Sequence, residues 1–272
     1  MAYLEPSEFV TKMVDSGESK VYMSNKDTLI RAFMAGAILA LAAIFAITVA
    51  IKTGSPLVGA LLFPVGFIML YLMKFDLLTG VFTLVPLALL DKRPGVTVSQ
   101  VLRNWGLVFV GNLAGALVVA FMMSYILTYG YNVDGGVIAA KVGSIGEART
   151  LGYKEHGMSG WVTIFIRGML CNWMVSMGVV GAMISTSATS KMLAMWMPIM
   201  LFFFMGFEHS IVNMFLFPFS MIMGGGFTIA DYLLWNELST VLGNLVGGFA
   251  LVGLPILHTC ENQPTTQHYL TI

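Results

Sequence analysis

The chain has 272 residues, of which 57% are hydrophobic and 10% charged, with 14 basic and 14 acidic side chains. An ordinary soluble domain carries about 25% charged residues, and a nucleic-acid binder an excess of base, so both classes are excluded. Two cysteines, Cys171 and Cys260, make neither a disulfide framework nor a metal-ligand spacing, and no metal or cofactor is expected.

Residues 1–30 are mixed polar and carry no cleavable signal pattern. Pro6-Ser7 can start an amphipathic helix running to about Asp15 on the inner membrane surface; a disordered tail is the other reading. Crossing a bilayer as a helix takes roughly 20 apolar residues. Ala32–Ile51 is the first such run. Thr53–Met73 is the second, and it continues past Lys74 and Asp76 into Leu77–Leu90. Trp105 to about Tyr131 is the third, followed by a polar loop from about Asn132 to Gly160. Trp161 to about Ser187 is the fourth, crossed early by Arg167. Met192 to about Met223 is the fifth, interrupted by Glu208 and His209, and Leu238–Leu257 is the core of the sixth. Backbone groups in lipid must be satisfied internally, so the fold class is all-α.

The second and fifth segments are too long for one helix, and both hold ionisable residues in mid-membrane. They read as broken helices whose non-helical stretch is buried in protein. The Lys and Arg distribution favours a cytoplasmic N-terminus. That divides the chain into a cytoplasmic segment 1–30, a six-span unit 31–258, and a cytoplasmic tail 259–272, in an inner (plasma) membrane.

The halves echo one another, as repeats of about 31–128 and 161–258. Phe75-Asp76 and Phe207-Glu208 are 132 residues apart, as are Gly111-Asn112-Leu113 and Gly243-Asn244-Leu245. Ile30-Arg31 and Ile166-Arg167 are 136 apart, and Asn104 and Asn236 each precede the later Asn by eight. Three spans per half is odd, so the second half inserts inverted, and the two breaks face each other near the midplane. Asn112 and Asn244 either hydrogen-bond backbone freed by the breaks or simply pack helices together.

An ionisable group inside a span is by default a functional candidate. His209 sits at a break and titrates near neutrality when unperturbed, which suits proton exchange. Glu208 can orient it, cap a half-helix or serve a subunit interface. Thr79, beside the permissive Gly80, can donate to an anion or bond its own helix. Lys74 can snorkel, add positive potential, or pair with Asp76 or Glu208, and pairing is favoured.

Ile166-Arg167-Gly168-Met169-Leu170-Cys171-Asn172-Trp173 and Gly206-Phe207-Glu208-His209-Ser210-Ile211-Val212-Asn213-Met214-Phe215, with Asn104-Trp105, Gly111-Asn112 and Gly243-Asn244, resemble the formate/nitrite transporter family over nearly the whole chain. The resemblance implies an aquaporin-like protomer in a homopentamer, each with its own pore for formate or nitrite, coupled to protons. It implies a chamber bordered by Thr79, His209, Asn172 and Asn213. It places apolar constrictions at Leu77 and Leu78 on one side and at Val175 and Phe202 on the other. Lys154 is the expected vestibule cation. Leu78 and Val81 depart from the family's usual Phe and Asn, and Lys74 stands where a small residue is expected. Hydrosulfide or short carboxylates are alternative substrates. A neutral-solute channel is a rival, although no Asn-Pro-Ala pair occurs at the breaks. An enzyme is not expected, because no nucleophile–base motif or phosphate loop is present.

Overall fold

The computed structural model describes residues 3–260, and these are helical apart from turns and one isolated bridge between Tyr3 and Ser185. The expected tail lies almost wholly outside the described residues.

Helix α1 spans Pro6–Tyr22, with proline in its first turn and the Glu5 backbone N–H bonded to the Glu8 carboxylate at 2.9 Å. It runs a full turn and more beyond Asp15. The segment is thus a helix and not a disordered tail, and its apolar stripe of Phe9, Val10, Met13, Val14 and Val21 is buried against the protein. Gly17 rests on the Leu84 carbonyl, where a side chain would collide.

Helices α2 (Asn25–Thr53), α6 (Val98–Leu127), α9 (Gly157–Ile184) and α12 (Ile229–Cys260) are each long and apolar enough to cross a bilayer. Their ends outrun the apolar runs because polar caps extend them. Ser24 accepts from the Asp27 N–H at 3.1 Å, and Thr97 and Gln100 form a reciprocal capping box ahead of α6. The polar loop of the middle of the chain is itself largely helical, as α7 (Gly136–Ala148) and α8 (Leu151–Lys154).

The remaining apolar sequence is in pieces. Helices α3 (Pro56–Leu62), α4 (Pro64–Leu72) and α5 (Leu78–Leu90) make up the second segment, and α10 (Ala188–Phe204) and α11 (Ser210–Ile222) the fifth. Every residue from Ser210 to Ser220 is buried, as is every residue from Leu78 to Ala88 except Gly80. An apolar helix hidden on all sides belongs at the centre of a bundle, and α5 and α11 occupy it.

Pairs α2–α6 and α9–α12 make the closest crossings. Gly115 faces the Phe33 carbonyl and Gly247 the Met169 carbonyl, so close that no Cβ fits. Small residues permit such contact where lipid gives helices no hydrophobic drive to associate.

Candidate functional site

Both breaks are built alike. Helix α4 ends at Met73, Lys74 turns the chain at φ 59°, and residues 75–77 lead to α5. Helix α10 ends at Met205, Gly206 turns it at φ 65°, and residues 207–209 lead to α11. The left-handed turn explains the small residue expected at Lys74: glycine occupies that region freely and lysine does not.

An asparagine holds each break. Asn112 accepts from the Leu78 N–H at 3.0 Å and donates to the carbonyls of Asp76 at 2.9 Å and Ala32 at 2.8 Å. Asn244 accepts from the Ser210 N–H at 3.0 Å and donates to those of Glu208 at 2.9 Å and Gly168 at 2.8 Å. Both are wholly buried, so each brace satisfies backbone groups that no water reaches.

A carboxylate at each break meets a cation from outside the long helices. Asp76 pairs with Lys20 of α1, whose carbonyl accepts from Asn104 at 3.1 Å. Glu208 lies 3.6 Å from Arg149, the residue ending α7, whose carbonyl accepts from Asn236 at 2.9 Å. Glu208 also accepts from Tyr153 at 3.0 Å and Asn213 at 2.9 Å, and Tyr153 in turn accepts from Arg167 at 2.6 Å. The correspondence of the halves therefore reaches beyond 31–128 and 161–258, to Lys20 and Arg149.

Between the breaks His209 Nε2 and Thr79 Oγ1 are 3.3 Å apart. His209 Nδ1 accepts from the Val212 N–H at 3.3 Å, so the proton of the neutral ring sits on Nε2, facing Thr79. Asn172 donates to the Thr79 carbonyl at 3.1 Å and to that of Asn244 at 2.6 Å. Beyond it Thr83 and Ser176 share a hydrogen bond of 2.6 Å.

Two cavities approach this point. One, of about 450 Å³, includes Lys12, Lys20, Arg31, Lys74 and Lys191, against Asp15 and Asp76, and reaches in to Leu77 and Val179. The other, of about 420 Å³, holds Lys141 and Arg149 with no carboxylate and reaches in to Phe202 and His209. Both have an excess of positive charge, which concentrates anions. Leu78, Thr79, Asn172 and Val175 are buried and line neither cavity. Phe202 stacks on the His209 ring at 5.4 Å and meets Phe63 edge-on at 5.7 Å.

The profile describing the formate/nitrite transporter family matches residues 7–258. The chain belongs to the formate/nitrite transporter family. It is 34% identical to a probable formate transporter of Methanothermobacter thermautotrophicus over 236 residues, covering 82% of this chain and 85% of the relative. A solved structure, an ion channel of the same family, superposes with a TM-score of 0.80 at 25% identity, covering 94% of this chain and 99% of the other. A pentameric formate channel with formate bound superposes with a TM-score of 0.69 at 24% identity, covering 85% and 95%, and shares the fold.

Two placements implied by the family resemblance, and the pairing favoured for Lys74 from its charge, differ from the arrangement in the structure. Lys154 does not line either cavity: it pairs with Asp231 at 2.7 Å and is half exposed. Arg149, five residues earlier, lines the cavity that reaches His209, with Lys141, and lies 3.6 Å from Glu208 because α7 ends there. Lys74 pairs with neither Asp76 nor Glu208, which are taken by Lys20 and Arg149; it is exposed at the rim of the larger cavity. Val175 and Phe202 do not share a side. Phe202 borders the cavity with His209, whereas Val175 lies one turn from Asn172 towards Val179, which lines the other. Phe63, Lys20 and Tyr153 are site residues the sequence reading missed. An aromatic in an apolar run carries no signal, but the 129-residue spacing of Lys20 and Arg149 is close to the repeat offset.

Proposed function

We propose that each protomer is a six-span inverted repeat that conducts a small monovalent weak-acid anion, formate or nitrite, with proton exchange at His209. The observation that carries this reading is a short buried stretch, with one imidazole–hydroxyl contact, separating two cation-rich cavities. A bare anion is strongly disfavoured in an apolar passage, and a neutral acid much less so. Arg149 and Lys141 on one side, and Lys12, Arg31 and Lys191 on the other, draw the anion inward. Near Thr79 it accepts the hydroxyl hydrogen bond. It takes up a proton that enters from bulk water, either through water held at His209 or from the His209 ring after Nδ1 has gained a second proton and released the Val212 N–H, so that the ring returns to neutral, and crosses the Leu77–Leu78–Val175 or Phe63–Phe202 side as the neutral acid. Asn172 and Asn213 hold the break backbone and the Glu208 carboxylate in place around it.

In this reading the chain lies in the plasma membrane with both termini cytoplasmic, so that the α1 cavity faces the cytoplasm, and five copies associate. The formate named for its relatives puts formate first; nitrite is kept from the family description, and hydrosulfide and short carboxylates remain alternatives of the same chemistry. The test is uptake of labelled formate and nitrite into proteoliposomes under a pH gradient. His209→Phe should lower pH-coupled uptake by at least tenfold, roughly the loss of one charge-assisted hydrogen bond. Unchanged uptake would defeat the proton-exchange mechanism, and glycerol-driven swelling of the same vesicles would favour a neutral-solute channel.

A further inference from the structure

Beside the second break lies a titratable group that the conduction path does not use. Glu237 is 3% exposed and accepts hydrogen bonds from the Ser210 hydroxyl and from Tyr232 at 2.9 Å. It lies in a π-turn of α12, Leu233–Glu237, which leaves Leu233 and Leu234 exposed and turns Asn236 and Glu237 inward. Such one-residue widenings often mark functional positions. The charged and titratable groups around it are Glu208 with Arg149, Tyr153 and Arg167, Asp231 with Lys154, Tyr232, and His209 next to Ser210. Among the described residues none of the cations forms an ion pair with Glu237.

The comparison of the halves shows that a break can be braced without an acid at this place. The offset of 132 carries Ser210 and Glu237 onto Leu78 and Trp105. The first break is braced by the same three asparagine bonds as the second, with no acid at that place; Trp105 instead donates to the Val81 carbonyl at 3.4 Å. Holding the start of the half-helix therefore does not require Glu237. What Glu237 adds is a variable charge, beside the first residue of α11 and one residue from His209. The N-terminus of that 13-residue helix presents a positive end to an anion at His209. An ionised carboxylate there opposes it, and a protonated one leaves it intact.

We propose that Glu237 is a proton-binding residue whose charge sets how tightly the His209 end of the passage holds a substrate anion. The proton comes from bulk water and returns to it, so no other reactant is needed. The residue positions charge and does not touch the substrate, so its signature is a pH-dependent rise in apparent Km that its replacement removes, at a maximal rate the replacement leaves unchanged at each pH.

Formate uptake by the full-length protein in proteoliposomes, between about pH 5 and pH 8, tests this. Wild-type Km should rise across the range, and that of Glu237→Gln should rise less and lie below it at the upper end. The difference at the upper end should be on the order of tenfold, the effect of a unit charge at roughly 10 Å in an effective dielectric near 20. Tyr232→Phe removes one donor to the carboxylate, which should move the midpoint of the rise to higher pH; it provides a second reading if Glu237→Gln does not assemble. Superimposable Km profiles for wild type and Glu237→Gln, or an unshifted midpoint in Tyr232→Phe, overturn the proposal. It rests on anion conduction past His209, and the two fail differently: absence of wild-type uptake defeats conduction, whereas uptake with unaltered profiles defeats only the role of Glu237.

Discussion

Replacing Asn244 with alanine isolates what holds a broken helix together. The change strands two buried groups of the break, the Ser210 N–H and the Glu208 carbonyl, and removes a second bond to the Gly168 carbonyl, which lies within α9. An unsatisfied buried group costs about 1–3 kcal/mol in general, and hydrogen bonds between membrane helices average nearer 0.6 kcal/mol. Two such groups and one further helix–helix bond put the loss at about 2–4 kcal/mol. Asn112→Ala strands the Leu78 N–H and the Asp76 carbonyl and removes the matching bond to the Ala32 carbonyl within α2, with lengths of 2.8 to 3.0 Å in both sets, so its loss should agree within about 1 kcal/mol. Detergent-solubilised protein titrated with denaturant, followed by the fluorescence of its five tryptophans, reads both values. Two variants within 0.5 kcal/mol of wild type would mean that the breaks are held by packing alone, and the reasoning would be refuted.

Other outcomes follow from the same contacts. Arg149→Gln should raise the Km for formate and lower low-salt uptake more than high-salt uptake, whereas Lys154→Gln, at an exposed pair, should leave uptake within about twofold of wild type. Thr79→Val keeps the shape and removes the hydroxyl facing His209, and should reduce uptake about tenfold or more, with Thr79→Ser restoring most of it. Lys74→Gly relieves a left-handed lysine and should be neutral or stabilising by up to about 1 kcal/mol in the same denaturant titration. Lys74→Val should be destabilising there, because a β-branched residue is worse in that region.

The fold was largely legible because bilayer physics leaves few options. Charge-free runs located the long helices, and mid-span charges at 76 and 208–209 marked both breaks. The repeat offset alone marks Asn112 and Asn244 as counterparts in the two halves. Helix ends were misjudged where capping chemistry at Ser24 and Thr97 extends a helix through polar sequence that hydropathy reads as loop. The site was half legible. His209 and Thr79 meet because each lies at or beside a break, and Asn172 reaches the Thr79 carbonyl from the middle of α9. Arg149 and Lys20 escaped notice because their roles depend on how α7 and α1 dock, and surface charges look alike in sequence. The Lys154 assignment failed for the same reason: a shift of five residues along a helical loop turns a cation from a cavity to an exposed partner. Lys74 was recognised as out of place, but its backbone angle, not its charge, is the reason.

The glycine crossings have a dynamic consequence. Gly115 and Gly247 seat one helix directly on the main chain of another, and a helix resting on backbone has no soft side chains to yield when it slides or tilts. The α2–α6 and α9–α12 pairs therefore behave as fixed walls. In the conduction reading proposed above, opening between the two cavities would fall to groups that can swing without moving them: the rings of Phe63 and Phe202 and the branched chains of Leu77 and Leu78. Rotamer changes of this kind belong to the nanosecond range when unhindered, far faster than rigid-body rocking of bundles. On that reading a solute would wait on a turning ring and not on a travelling helix.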